Sequence, residues 1–205
     1  DPQKYEITEI GITQDGQWWS GHDTWQQFHD KRMDGLYRVL LIPEPGKTML
    51  YKNQGDRLEV VTELDVIFPV LHGTFGEDGT LQGFFEMADI AYVGAGVLGS
   101  SVGMDKALFK DVMRANDIPV VDWIVASRVF AEKHIDEIVK GTEMLGEYPF
   151  FIKPANLGSS VGITKCKNRS DLMEGILEAC RYDRRILIEK GVENAREIEI
   201  SVLGN

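Results

Sequence analysis

Along residues 5–13 (YEITEIGIT) apolar and polar positions alternate with a period of two, which predicts a strand. A turn at Gln14, Asp15, Gly16 and Gln17 leads to a second short strand opening at Trp18 and Trp19, a hairpin signal. Residues 21–36 are polar with scattered aromatics and show no period. Residues 37–43 predict a short strand, Glu44, Pro45 and Gly46 begin a turn, and Met49, Leu50 and Tyr51 start another strand. Residues 64–71 (LDVIFPVL) form a continuous apolar run, the pattern of a strand buried on both faces of a parallel sheet. A helix over 80–88, which Asp78 or Thr80 could cap, and a strand over 90–93 complete a strand–helix–strand crossover.

Residues 105–116 predict an amphipathic helix with Met104, Leu108, Phe109, Val112 and Met113 on its apolar face. A strand over 120–126 and a helix over 131–145 come next. Residues 149–152 predict an apolar strand that delivers Lys153 to its end, where Pro154 removes a backbone donor. A small-residue loop, Asn156 to Gly162, turns the chain into a second strand over 161–166. A helix over 170–180 carries Asp171 and Glu174 near its start, where the helix dipole favours acids. Residues 185–190 predict a further strand, and the alternation of acids with apolar residues over 197–203 predicts a last one.

Several positions carry candidate chemistry. A lysine at a strand end beside a Gly/Ser turn can make a phosphate cradle from its ammonium group and the turn's N–H groups. The plain alternative is a glycine hairpin whose lysine reaches out to solvent, and this stretch alone does not choose between them. His72 sits at the end of the apolar run, before a helix N-terminus that favours anions. Gly73, Gly76 and Gly79 would let the backbone approach a ligand closely there. Lys106 falls in the first turn of its helix, so it either faces solvent or meets an anion. Gly46, Lys47 and Thr48 do not complete a phosphate-binding loop, because Leu41 stands where that motif needs a glycine and a strand follows. Gly94, Gly96 and Gly99 spell a dinucleotide pattern. However, residues 100–103 intervene before the next predicted helix, and Asp122 lies inside the following strand, not at its end. These glycines are read as a domain boundary.

Composition narrows the class. The chain has 205 residues with a formal net charge of −11, which argues against a nucleic-acid footprint. No apolar run approaches the roughly 20 residues of a membrane span, and the opening residues lack the signal-peptide pattern. Cys166 and Cys180 have no metal-ligand spacing and suggest no disulfide framework, so a reducing cytoplasm fits.

Taken together, the motifs resemble those of the D-alanine–D-alanine ligases. The resemblance rests on His72-Gly73 with Gly76-Glu77-Asp78-Gly79-Thr80-Leu81-Gln82-Gly83, on Met104-Asp105-Lys106, on Ile152-Lys153-Pro154, on residues 158–162, on Ile188-Glu189-Lys190 and on residues 195–199, in that order. It implies an α/β and α+β architecture: the ATP-grasp fold, with an amino-terminal parallel-sheet, Rossmann-like domain over 1–94. The small central ATP-grasp subdomain would span 95–193 and a carboxy-terminal ATP-grasp domain would start at 194–205. The family's first strand and glycine-rich loop are expected before residue 1, and most of the carboxy-terminal domain after residue 205. Residues 1–205 alone are therefore expected to be inactive.

By the same resemblance Lys106 and Lys153 would contact the phosphates of ATP. Ser159, Ser160, Val161 and Gly162 would form a flap over them, with Ser159 also orienting the first D-alanine. Glu189, Lys190 and Val192 would hold adenine, Glu197 would take the ribose hydroxyls, and His72 would lie by the carboxylate of the first D-alanine. Magnesium is implied, but none of its ligands is assigned within 1–205. The implied partners are D-alanine and a second copy of the enzyme, with neither nucleic acid nor membrane. The implied reaction joins two D-alanines through an acyl phosphate for peptidoglycan precursors. D-lactate or D-serine as second substrate, or another carboxylate–amine ligation, remains the alternative.

Overall fold

The computed structural model describes residues 3–158 and 160–203. The chain divides into two units, residues 1–70 with 81–94 and residues 71–80 with 95–205.

The first unit begins with β1 (Ile10–Ile12) and β2 (Trp18–Ser20), joined by the expected turn. Gly16 adopts φ 80° there, and its N–H donates to Thr13 O at 2.9 Å. A short helix, α1 (Thr24–His29), separates β2 from β3 (Tyr37–Leu41). The strands β4 (Met49–Asn53) and β5 (Leu58–Glu63) complete a five-stranded antiparallel sheet in chain order. Neither α1 nor β5 is anticipated by the sequence pattern. The crossover is present: β6 (Val66–Ile67), α2 (Thr80–Ala88) and β7 (Ala91–Tyr92) follow one another, and β6 pairs β7 in parallel. Leu41, Phe85, Ala88 and Ile90 form this unit's core, with Trp18, Leu64, Ile67, Phe84 and Tyr92 packed against it.

The run over 64–71 is not a strand buried on both faces. Only Val66 and Ile67 join a ladder, with a single neighbouring strand. Leu64 and Ile67 reach the core, whereas Phe68 and Val70 stay about 70% exposed. A strand with one partner and packing on one side cannot bury both faces.

In the second unit α3 (Val97–Met104) starts directly after Gly96, and α4 (Lys106–Ala115) starts after Asp105. The expected gap over 100–103 is therefore a helix. Gly99 and Gly103 within it weaken its helical signal by up to about 1 kcal/mol each, which hides it from a propensity argument. Then follow β8 (Trp123–Ser127), α5 (Arg128–Glu143), β9 (Phe150–Pro154), β10 (Thr164–Cys166), α6 (Arg169–Tyr182) and β11 (Arg185–Lys190). The four strands form an antiparallel sheet in the order β10–β9–β11–β8. Ser127 caps α5 through Phe130 N at 3.2 Å, and Asn168 caps α6 through Asp171 N at 3.0 Å.

The core of this unit lies between the sheet and the helices α5 and α6. It takes Phe150 and Ile152 from β9, Ile186 and Ile188 from β11, and Ile138, Val139, Leu172 and Ile176 from the helices. Because side chains alternate along a strand, Lys153, Leu187 and Glu189 point to the opposite face. That alternation creates the site described next.

Two expectations fail at the hairpin and beyond β11. The strand after the Gly/Ser loop begins at Thr164, not at 161, because Ser160 (φ 58°) and Gly162 (φ 71°) keep the backbone in a turn. Residues 197–203 form no strand, and Ile198, Ile200, Val202 and Leu203 are 65–100% exposed. Alternation marks a possible strand but supplies no partner, and none of the described strands pairs with this segment.

Candidate functional site

On the sheet face away from the core, Lys106, Lys110, Lys153 and Glu189 converge in a cleft with Val120 and Leu187 on its walls. Lys153 arrives on β9 and Glu189 on β11, where Glu189 registers with Phe151 and Leu187 with Lys153. Lys106 and Lys110 come from α4, one turn apart and so on one face. Three ammonium groups and one carboxylate thus share a cleft in a chain whose net charge is −11.

Each charge in the cleft has a protein partner. Lys153 Nζ donates to Glu189 Oε1. Lys110 Nζ lies 2.9 Å from Glu189 Oε2 and donates to Val121 O at 3.3 Å. Lys106 Nζ donates to Leu157 O, and Lys106 N donates to Ala155 O at 2.9 Å. Glu189 is only 8% exposed. Burial alone would raise its pKa, but hydrogen bonds from Lys110 and Lys153 outweigh that and hold the carboxyl below its ordinary value. Lys106 moves the other way from an ordinary lysine. Burial, and then repulsion from Lys153, lower its pKa. An incoming anion would relieve both penalties.

The residue before Lys106 fixes where that lysine stands. Asp105, 8% exposed, accepts from Ala107 N at 3.2 Å and Leu108 N at 3.1 Å through Oδ1, the N-cap of α4. Its other oxygen takes the Arg185 guanidinium at the start of β11. Asp183 in turn accepts from Asn156 N at 2.7 Å and from Arg185 N at 3.3 Å, tying the Gly/Ser loop to the same strand. Asp105→Ala is expected to lose the cap and leave Arg185 unpaired, lowering unfolding free energy by about 1–3 kcal/mol. Asp105→Asn, which keeps the capping oxygen, is expected to lose less. Urea denaturation of the two variants checks the order.

The apolar face of α4 anticipated from the sequence is not the buried one. Leu108 and Phe109 are more than 40% exposed, while Lys106 and Lys110 are turned inward. The carbonyl of Leu157 and the carboxylate of Glu189 draw the lysines in. Phe109, Val112 and Met113 instead line a shallow apolar groove with Leu98 and Val102 of α3.

The loop that carries His72 also belongs to this unit. Glu77 accepts from Gly73 N, and Asp78 accepts from Phe75 N at 2.9 Å and Thr80 N at 3.0 Å, so the loop is folded on itself. Gly79 (φ 92°) could not carry a side chain, since a Cβ would lie 2.3 Å from Ser101 Oγ. A Cβ on Gly158 would lie 3.8 Å from Gly73 Cα, so the His72 loop and the Gly/Ser loop are neighbours. His72 itself is exposed and sits in this loop, beyond the short β6 and not at its end.

The remaining candidates are less concentrated. Ser159 lies outside the described residues. Ser160 and Val161 are exposed on the turn, and Gly162 is packed against Pro154 and Tyr182. Lys190 is exposed and its N–H donates to Asp122 O at 3.1 Å. Val192 and Glu197 are exposed beyond β11 and do not line the cleft. Lys110 was not among the candidates. Its i, i+4 spacing from Lys106 is the signal that could have found it.

Comparison with known proteins bears on this arrangement. The model described as D-ala D-ala ligase N-terminus matches residues 1–95, and the one described as D-ala D-ala ligase C-terminus matches residues 112–205. The chain belongs to the D-alanine–D-alanine ligase family. Within the family, it is 45% identical to the D-alanine--D-alanine ligase of Natranaerobius thermophilus, over the whole chain and 56% of that relative. It is 43% identical to that of Heliobacterium modesticaldum, again over 56% of the relative. The chain thus spans just over half the length of the curated relatives it matches. Among solved structures, the VanG D-Ala:D-Ser ligase of Enterococcus faecalis superposes with a TM-score of 0.80 at 31% identity, covering 94% of this chain and 55% of that one. The D-alanine-D-alanine ligase of Coxiella burnetii gives 0.77 at 31%, covering 94% and 56%. The fold is that of the ATP-grasp ligases, as the motifs implied.

Proposed function

We propose that these residues belong to an ATP-dependent ligase joining two D-alanines, and that the lysine cleft receives the polyphosphate of ATP. The observation that carries this reading is the convergence of Lys106, Lys110 and Lys153 in one cleft with a single carboxylate, inside an acidic chain. Such a site has an excess of partly buried positive charge that a polyphosphate would neutralise. The apolar walls at Val120 and Leu187 suit a flat base, with Glu189 accepting from its exocyclic amine. Lys190 and Val192 would add backbone contacts to the base, and Glu197 would take the ribose hydroxyls. The turn at Ser159, Ser160, Val161 and Gly162 would cover the phosphates.

ATP supplies a transferable phosphoryl group. The carboxylate of the first D-alanine attacks the γ-phosphorus and ADP leaves; the amine of the second D-alanine then displaces phosphate and loses a proton. Lys106 and Lys153 would stabilise the charge that develops on the transferred group, the main task of a protein in phosphoryl transfer. Among the described residues no group of three or more His, Cys, Asp or Glu is placed to hold a metal ion, and Glu189 is already paired. No step is therefore assigned to a metal. No described helix is long and apolar enough to cross a membrane.

His72, on the loop beside Gly158, would bind the carboxylate of the first D-alanine. In the full-length enzyme His72→Ala is expected to raise the apparent constant for D-alanine several-fold while leaving that for ATP little changed. D-Alanine-dependent phosphate release, titrated in each substrate, tests both points. No D-alanine dependence in the wild type would remove the ligase reading, and an effect confined to ATP would remove His72 from the amino-acid site.

A further inference from the structure

The two lysines that share Glu189 are held differently. Lys110 is anchored on three sides: by Glu189 Oε2 at 2.9 Å, by Val121 O at 3.3 Å, and by the Trp123 ring, whose centroid is 5.3 Å from Nζ. Its side chain is 12% exposed, against 26% for Lys153. Lys153 lies on the open side, on Glu189 Oε1, with the Phe151 ring centroid 5.9 Å away. One oxygen of the carboxylate therefore has a fixed partner, and the other has a partner that an incoming anion can draw away.

Resting on the nucleotide reading above, we infer that Lys110 is a positioning residue for base selection, holding Glu189 ionised and oriented when Lys153 transfers to phosphate. The freed Oε1 is then a charged acceptor. It accepts a hydrogen bond from the exocyclic amine of adenine and repels the ring carbonyl that hypoxanthine carries at the same place. Without Lys110, two states are open to a carboxyl as buried as Glu189. It keeps Lys153 on Oε1, so that the only oxygen set free is Oε2 on the enclosed side where Lys110 stood, or it takes a proton and can donate to a carbonyl as readily as it accepts from an amine. In either state discrimination between the two bases falls. The direction of the Glu189 pKa, held low chiefly by Lys110 and Lys153 against burial, agrees with this division of labour.

Calorimetric titration of the full-length protein with ATP and with inosine triphosphate tests this. The wild type is expected to prefer ATP, and Lys110→Met to lose about tenfold of that preference, the scale of one charge-assisted hydrogen bond. Lys110→Arg is expected to keep it. Lys110→Gln, which retains a neutral donor, gives a second removal of charge should the methionine variant fold poorly, and the ratio of two affinities does not depend on the folded fraction. An unchanged preference in both uncharged variants, or equal weakening toward both nucleotides, would overturn the role of Lys110. A wild type that binds both nucleotides alike would overturn it while sparing the phosphate site. A wild type that binds neither would overturn the nucleotide reading, and this inference with it.

Discussion

Lys153→Ala in the full-length enzyme is expected to weaken ATP binding about tenfold to a hundredfold, since hydrogen bonds to charged groups contribute about 1.5–3 kcal/mol. The site explains why the effect should be large and also why it should be bounded. Lys153 is delivered by β9 to a partly buried position, so its charge acts in a medium that screens it less than water does. Lys106 and Lys110 stay in the cleft after the substitution and still present positive charge to the phosphates. The loss should therefore fall short of that from removing Lys106 and Lys153 together. Adenosine, which has no phosphate, serves as the control and is expected to bind the variant no more weakly than the wild type, since the substitution also frees Glu189 Oε1. Equal weakening toward adenosine and ATP would mean that Lys153 supports the cleft without meeting phosphate.

The largest expected loss of stability comes from the other face of the same strand. Phe150 is completely buried, meets Tyr148 edge-on with ring centroids 4.9 Å apart, and sits in the core beneath α5 and α6. Phe150→Ala removes most of a ring from a packed interior and is expected to cost about 3–5 kcal/mol. That is a large fraction of the roughly 5–15 kcal/mol by which domains are stable, so poor expression of the variant is the expected symptom. Urea denaturation gives the value. A loss below about 1 kcal/mol, the range of surface substitutions, would mean that the core described around β9 is not the one that holds this unit together.

How much of this could be read from the chain depended on whether a signal was local. Thr80–Ala88 and Arg185–Lys190 were legible to the residue, because each is a compact apolar pattern between polar neighbours. Lys153 and the Gly/Ser loop were legible as a possible anion site, and Lys106 as a cation awkwardly placed in a first turn. The partner of each was not. Lys110 meets Glu189 only because α4 lies over the sheet, and no periodicity joins two residues so far apart in sequence. The same contact inverts the amphipathic argument for α4: charge pairing turns its lysines inward and leaves Leu108 and Phe109 half exposed. The strand β5 escaped because most of its residues are exposed at the edge of its sheet. The opposite error occurred at 197–203, where a good alternating pattern has no ladder to join.

The central claim is that Lys106 and Lys153 hold the phosphates of ATP across the face of the four-stranded sheet. A crystal structure of the full-length protein with a non-hydrolysable ATP analogue tests it most directly. Phosphate oxygens are expected within hydrogen-bond reach, about 2.7–3.2 Å, of both Nζ atoms, with Lys153 withdrawn from Glu189 Oε1 and Lys110 still on Oε2. Phosphates found elsewhere, such as at the glycine turn before α3, with Lys153 still paired to Glu189, would contradict it.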